Sequence, residues 1–260
     1  MARPREESSP ASGRYVFGVN PVLEVLRARP GEIDSIFVGE GQLSKPQAAE
    51  ILSRARDENV RVVKVPRERL SSMIGGGVHQ GVVAEVRALE YVELHDLLEQ
   101  AKASGRPPLL VALDGVQDPQ NFGAIIRSAH ALGAHGVVIP KDRAAQVSGV
   151  VAKASAGAIE YCPVSRVTNL SRALEEMKEA GLWIAAADPE GDQELPKARL
   201  DGPIAVVVGS EGPGVRKGVL EHCDLRLRIP MLGQVASLNA SVSAAILMYE
   251  VARQRLVGGK

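Results

Sequence analysis

Between Arg14 and Ala88 the chain alternates short apolar runs with segments whose apolar residues recur at helical spacing. "GVNPVLEVLRA" predicts a short helix to about Ala28, capped by Asn20 with Pro21 at its first position, and a strand follows from Ile33 to Val38. Ser44 and Pro46 open a second helix to about Asn59. "VRVVKV" predicts a strand, "RERLSSMI" a short helix, and "QGVVAEVRA" a last strand from Gln80 to Ala88. The intervening "GGGVHQG" is too glycine-rich for regular structure.

After Pro108 the pattern becomes a longer strand and helix alternation. Strands are predicted at "LLVALDG", "GVVIP", "IEYCPV", "LWIAAAD", "PIAVVVG" and "LRLRIP". Helices are predicted at "NFGAIIRSAHAL", "AQVSGVVAKASAG", "LSRALEEMKEA", residues 215–221 and a terminal segment from Ser237 to Leu256. Short apolar strands separated by amphipathic helices imply a mainly parallel sheet covered on both faces. Residues 89–107 hold a short amphipathic segment and then Gly-Arg-Pro-Pro, and mark the boundary. The predicted organisation is a disordered tail over 1–13, a small α/β domain over 14–88, a linker over 89–107 and a larger domain over 108–260.

Composition narrows the function classes. Hydrophobic residues make up 45% and charged residues 24%, as in ordinary soluble domains, and no run approaches the roughly 18 apolar residues of a membrane span. The first 13 residues lack the apolar centre of a signal peptide, so a cytoplasmic protein is expected. Lysine and arginine balance aspartate and glutamate at 31 each, and aromatics are only 3%, which excludes a sequence-wide electrostatic grip on nucleic acid and a many-base stacking platform. Any basic patch must arise by folding, and Arg14, Arg61, Lys64 and Arg67 are the candidates. Cys162 and Cys223 stand far apart and the five histidines show no ligand spacing, so neither a disulfide nor a metal is expected.

Ligands in such sheets sit beyond the carboxyl ends of the strands. Three polar loops fall there. In "LDGVQDPQNFGAIIRSA", Asp118 and Pro119 are explained by helix initiation, and Asn121 could be a turn residue. Arg127 sits in a helix that reads as apolar on most sides, where a cation needs a partner or a ligand. "VVVGSEGPG" offers backbone N–H groups but matches neither a P-loop nor G-x-G-x-x-G. In "IPMLGQVASLNASVSAAI", Ser237, Asn239 and Ser241 exceed what one helix cap requires.

Together the three loops resemble the motifs of the SpoU (TrmH) family of RNA ribose 2'-O-methyltransferases, in order and spacing over about 150 residues. "FGVNPVLEVL" and "GVHQG" extend the similarity to the first domain, and the whole is most similar to the bacterial branch acting on a guanosine ribose in the peptidyl-transferase region of 23S rRNA. The resemblance implies a SPOUT-type catalytic domain with a deep trefoil knot, a ribosomal-protein-like RNA-binding first domain, S-adenosylmethionine as cofactor and a homodimer through the catalytic domain. It also implies catalytic roles for Asn121, Arg127, Glu211, Ser237 and Asn239, and cofactor contacts at Gly209, Ile229, Leu232, Gly233 and Leu238. Three alternatives stay open: a tRNA substrate, a catalytically silent RNA-binding member of the fold, and an ordinary nucleotide-binding α/β enzyme.

Overall fold

The computed structural model describes residues 14–41, 44–234 and 237–258, and it divides into two compact units, Met1–Glu90 and Tyr91–Lys260. The tail expected over 1–13 lies outside the described residues.

The first unit comprises β1 (Arg14–Phe17), α1 (Val19–Ala28), β2 (Ile33–Gly39), α2 (Lys45–Asp57), β3 (Val62–Val65), α3 (Arg67–Ile74) and β4 (Val82–Val86). Its sheet runs β1-β4-β2-β3, with β4 antiparallel to both neighbours and β3 parallel to β2. β1 was not anticipated. α1 is capped by Gly18, at φ 98°, rather than Asn20, because the Gln80 side chain accepts from the Val19 N–H at 3.1 Å and sets the chain's entry. Strand order also corrects the basic patch. Arg14 lies on one edge strand while Arg61, Lys64 and Arg67 flank the other, three strand spacings or about 14 Å away.

The second unit begins with α4 (Leu94–Ala103), inside the stretch expected to be a linker. Leu94, Leu97, Leu98 and Ala101 recur at i, i+3, i+4 and i+7, and that face is buried in the core of this unit. There follow β5 (Leu109–Asp114), α5 (Pro119–Ala131), β6 (Gly136–Pro140), α6 (Gly149–Ala154), β7 (Val164–Val167), α7 (Leu170–Glu179), β8 (Trp183–Ala187), β9 (Gln193–Glu194), β10 (Ile204–Gly209), α8 (Lys217–Leu220), β11 (Leu225–Arg228) and α9 (Ala240–Gly258). β9 was not anticipated. The strand expected at "IEYCPV" begins later, because Gly157 at φ 88° turns the chain into a single 3-10 turn over Ala158–Glu160.

All seven strands pair in parallel, in the order β7-β6-β5-β10-β8-β11-β9. Every residue of β5, β6 and β10 is buried, as strands covered on both faces require. α4, α7 and α8 pack one side around Leu110, Ile184 and Val207, while α5 packs with α6 and α9 on the other. Chain progression reverses between β5 and β10, and at that switch point the loops diverge and leave a crevice. The two cysteines are unpaired, and burial pushes both thiols up to about 12, so neither is a nucleophile at neutral pH.

Candidate active site

The crevice is built from three segments distant in sequence. The first starts α5. Asp118 accepts from the backbone N–H of Gln120 at 3.1 Å and of Asn121 at 3.2 Å, with Pro119 at the first helical position, so the cap fixes Asn121 in the first turn. The second is the loop after β10. Gly209 has no room for a side chain, since a Cβ there would lie 1.9 Å from the carbonyl carbon of Gly214. The loop thus folds back tightly on itself, with Gly214 N–H donating to Ser210 at 3.0 Å and Gly212 at φ 84°, and it holds out Glu211. The third precedes α9, which starts at Ala240 rather than Ser237 because Asn239 is its cap. The Asn239 Oδ1 accepts from the Ser241 N–H at 2.9 Å and the Ser241 hydroxyl at 2.6 Å.

That cap determines the rest. With its oxygen turned to α9, the Asn239 amide aims Nδ2 outward, where it donates to Asn121 Oδ1 at 2.9 Å and to Glu211 Oε1. Asn121 Nδ2 donates to the same Glu211 oxygen at 3.0 Å. Asn121, Glu211 and Asn239 therefore close a three-membered ring of hydrogen bonds joining all three loops. Glu211 Oε2 has no hydrogen-bond partner among the described residues and is left as an unused acceptor.

One clamp beneath the ring was missed from the sequence. Asp114, the last residue of β5, is buried and accepts from Arg216 through Nη2 at 2.6 Å, Nε at 2.8 Å and the backbone N–H at 2.8 Å. Arg216 directly follows the Glu211 loop, so this fork ties that loop to the strand that leads into Asn121. The available signal was an aspartate ending an otherwise apolar strand.

Beside the ring lies a cavity of about 810 Å³ at the carboxyl ends of β8, β10 and β11. Glu211, Ser237 and Asn239 line it, as do Gly209, Ile229, Leu232 and Leu238; Gly233 does not. Ser237 is exposed and makes no side-chain hydrogen bond among the described residues. Leu232 is fully exposed at the mouth. Asp188 and Glu194 supply acidic wall, held by Arg226 at 2.7 Å and Arg228 at 2.9 Å. Hydrogen bonds from Lys197 and then Arg228 keep the Glu194 carboxyl below its usual range and therefore ionised.

Arg127 is not brought to the ring. The buried face of α5 is Phe122, Ile125, Ile126 and Ala129, and Arg127 points from the other side into solvent. The expectation that its helix buries it is corrected. Six residues beyond Asn121, it stands about 9 Å further along the axis and about 120° round it.

The three loops, their order and their convergence are those of one family, and the comparison with known families agrees. SpoU rRNA Methylase matches residues 108–249, and the RNA 2'-O ribose methyltransferase substrate-binding family matches residues 15–92. The chain belongs to the SpoU rRNA methylase family. Among SpoU relatives, the TrmH family tRNA/rRNA methyltransferase YacO of Bacillus subtilis is 46% identical over 93% of this chain and 96% of its own length. The 23S rRNA (guanosine-2'-O-)-methyltransferase RlmB of Pseudomonas putida is 40% identical over 93% and 97%. The SpoU methyltransferase AviRb of Streptomyces viridochromogenes, solved with its cofactor AdoMet, superposes with a TM-score of 0.78 at 28% identity, over 95% of this chain and 92% of that one. The fold is thus that of SPOUT methyltransferases, and the chain is an RNA ribose 2'-O-methyltransferase by family.

Proposed function

We propose that this protein uses S-adenosylmethionine to methylate the 2'-hydroxyl of a guanosine ribose in 23S rRNA during ribosome assembly in the cytoplasm, with residues 14–88 selecting the RNA. The observation that carries the reading is the ring of Asn121, Glu211 and Asn239 at the edge of the cavity.

The cavity fits the cofactor. Its volume lies within the roughly 300–1,000 Å³ of small-molecule sites. Ile229 and Leu238 give apolar wall for an adenine, Leu232 an apolar flap, and Asp188 and Glu194 polar wall able to accept hydrogen bonds from a ligand. When bound, S-adenosylmethionine supplies a methyl group on a positively charged sulfur.

The chain's own residues supply alignment and proton handling. Glu211, with Oε1 saturated by two amides, keeps Oε2 to accept a hydrogen bond, and ultimately the proton, from the ribose hydroxyl. Asn121 and Asn239 hold that carboxylate in one orientation, and Ser237 borders the ribose. A guanidinium offers a fork of donors and no acceptor, so the role of Arg127 is to bind a neighbouring phosphate or the developing alkoxide rather than to act as a base.

Since Arg127 faces away from its own ring, we place it in the site of a second protomer. Val242, Tyr249 and Leu256 recur every seven residues as an exposed stripe on α9, the helix packed against α5, and support a homodimer through this unit. Arg127→Lys is expected to reduce methyl transfer by about 10²-fold, as removal of one preorganised donor does, because an ammonium cannot present the guanidinium fork. The melting temperature should not move, as Arg127 is exposed and makes no hydrogen bond or ion pair among the described residues. Rate assays and thermal melts of the same preparation check both.

Similarity to an rRNA guanosine methyltransferase over 93% of the chain supports the rRNA substrate. A tRNA substrate is the second reading, favoured by the tRNA/rRNA designation of the Bacillus relative. Mapping ribose methylation in rRNA and tRNA from cells with and without the protein decides: loss of one 23S site is expected, and loss of a tRNA site instead selects the second reading.

A further inference from the structure

The opposite end of the seven-stranded sheet carries a second set of chemistry that the reaction does not use. Trp183, the chain's only tryptophan, opens β8 with its side chain 59% exposed. A ring of that size normally contributes to a core, so its exposure calls for an occupant. It lines a cavity of about 520 Å³ at the amino ends of β8, β10 and β11, together with Gln193, Arg199, Asp201 and Leu225.

Cations gather beside it. Arg199 reaches Asp201 at 2.9 Å while remaining largely in water. Arg255 donates from Nη2 to the carbonyls of Gly202 at 2.7 Å and Pro108 at 2.9 Å, and its buried Nε has no partner among the described residues. Asp224, next to Leu225, is neutralised by Lys178 at 3.1 Å. Arg199 and Arg255 therefore share one carboxylate, Asp201, and leave a local surplus of positive charge.

We propose that this end of the sheet is a second RNA subsite, which stacks an unpaired nucleobase on the Trp183 indole and takes the adjoining phosphate on Arg199. An indole face with guanidiniums around it is the combination that holds single-stranded nucleic acid, and the charge surplus selects a polyanion over an apolar peptide. The proposal rests on the RNA reading above. A strand of five or six residues spans about 17–20 Å, so the two ends lie about six nucleotides apart at 3.4 Å per step. One folded RNA element can touch both, and the subsite discriminates such an element from a short fragment that fills the catalytic crevice alone.

Because Trp183 is unique, its emission reports this place and no other. The full-length protein is titrated with a 12-nucleotide single-stranded RNA of mixed sequence, and with inorganic pyrophosphate as a charge control. The RNA is expected to quench the emission saturably and in a salt-sensitive manner, and pyrophosphate to leave it unchanged. Trp183→Ala and Arg199→Ala should each raise the KM for rRNA about tenfold with kcat and cofactor binding unaltered; Trp183→Phe, which keeps an aromatic face, should fall between. Unchanged emission at RNA concentrations that saturate methyl transfer, or a wild-type KM in Trp183→Ala, would overturn the subsite and point to a protein partner for this surface. A protein whose Trp183 responds to RNA but which transfers no methyl group keeps the subsite and overturns the catalytic reading instead.

Discussion

Asn239→Ala is expected to lower methyl transfer by at least 10²-fold and the melting temperature by a few degrees. The two effects have different origins in one side chain. The Asn239 oxygen caps α9, and removing a cap costs about 1 kcal/mol, which in a unit of this size is about 2–4 °C. Its nitrogen holds Asn121 and Glu211, and losing it frees the carboxylate proposed to receive the ribose proton. Asn239→Asp separates them. Aspartate caps well but turns a second carboxylate towards Glu211, so activity should fall as far as in the alanine variant while most of the cap is kept. Rate assays and thermal melts distinguish the variants, and an active Asn239→Asp would remove the ring from the mechanism.

Arg216→Ala is expected to have the largest effect on stability, about 3 kcal/mol, or some 6–12 °C in melting temperature. Asp114 has no exposed side-chain surface, and the variant leaves it one backbone donor in place of three donors. The estimate takes the low end for a broken buried pair because Arg216 itself is half exposed. The loop bearing Glu211 loses its tether as well, so kcat should fall about tenfold at temperatures where the variant is fully folded. Arg216→Lys keeps the charge without the fork and should lie between. Denaturant unfolding and turnover measured together would show the coupling; a destabilised variant with undiminished kcat would make the clamp purely structural.

How far the sequence alone reached follows from where the physics is local. The parallel sheet was legible because β5, β6 and β10 are unbroken apolar runs, a signature of strands covered on both faces. Asn121, Glu211 and Asn239 stood out as polar residues in loops that follow strands but became a site only through the family resemblance, since their mutual hydrogen bonds join positions up to 118 apart in the chain. Asp114 and Arg216 were not, since an aspartate at a strand end gains meaning only from an arginine 102 residues later. α4 was read as a short amphipathic segment but assigned to a linker, because Gly-Arg-Pro-Pro after it punctuates more strongly than its four apolar residues suggest core. Arg127 was misplaced for the reverse reason: α5 holds enough apolar residues to look buried all round, yet they cover only one side.

The central claim is that the crevice joined by Asn121, Glu211 and Asn239 transfers a methyl group to a ribose oxygen of RNA. The purified protein is incubated with methyl-labelled S-adenosylmethionine and rRNA lacking the modification, and the RNA is digested to nucleosides. Label is expected in 2'-O-methylguanosine alone, and to vanish when Glu211→Gln replaces the wild type. Label on a base, or undiminished ribose labelling by Glu211→Gln, would contradict the account.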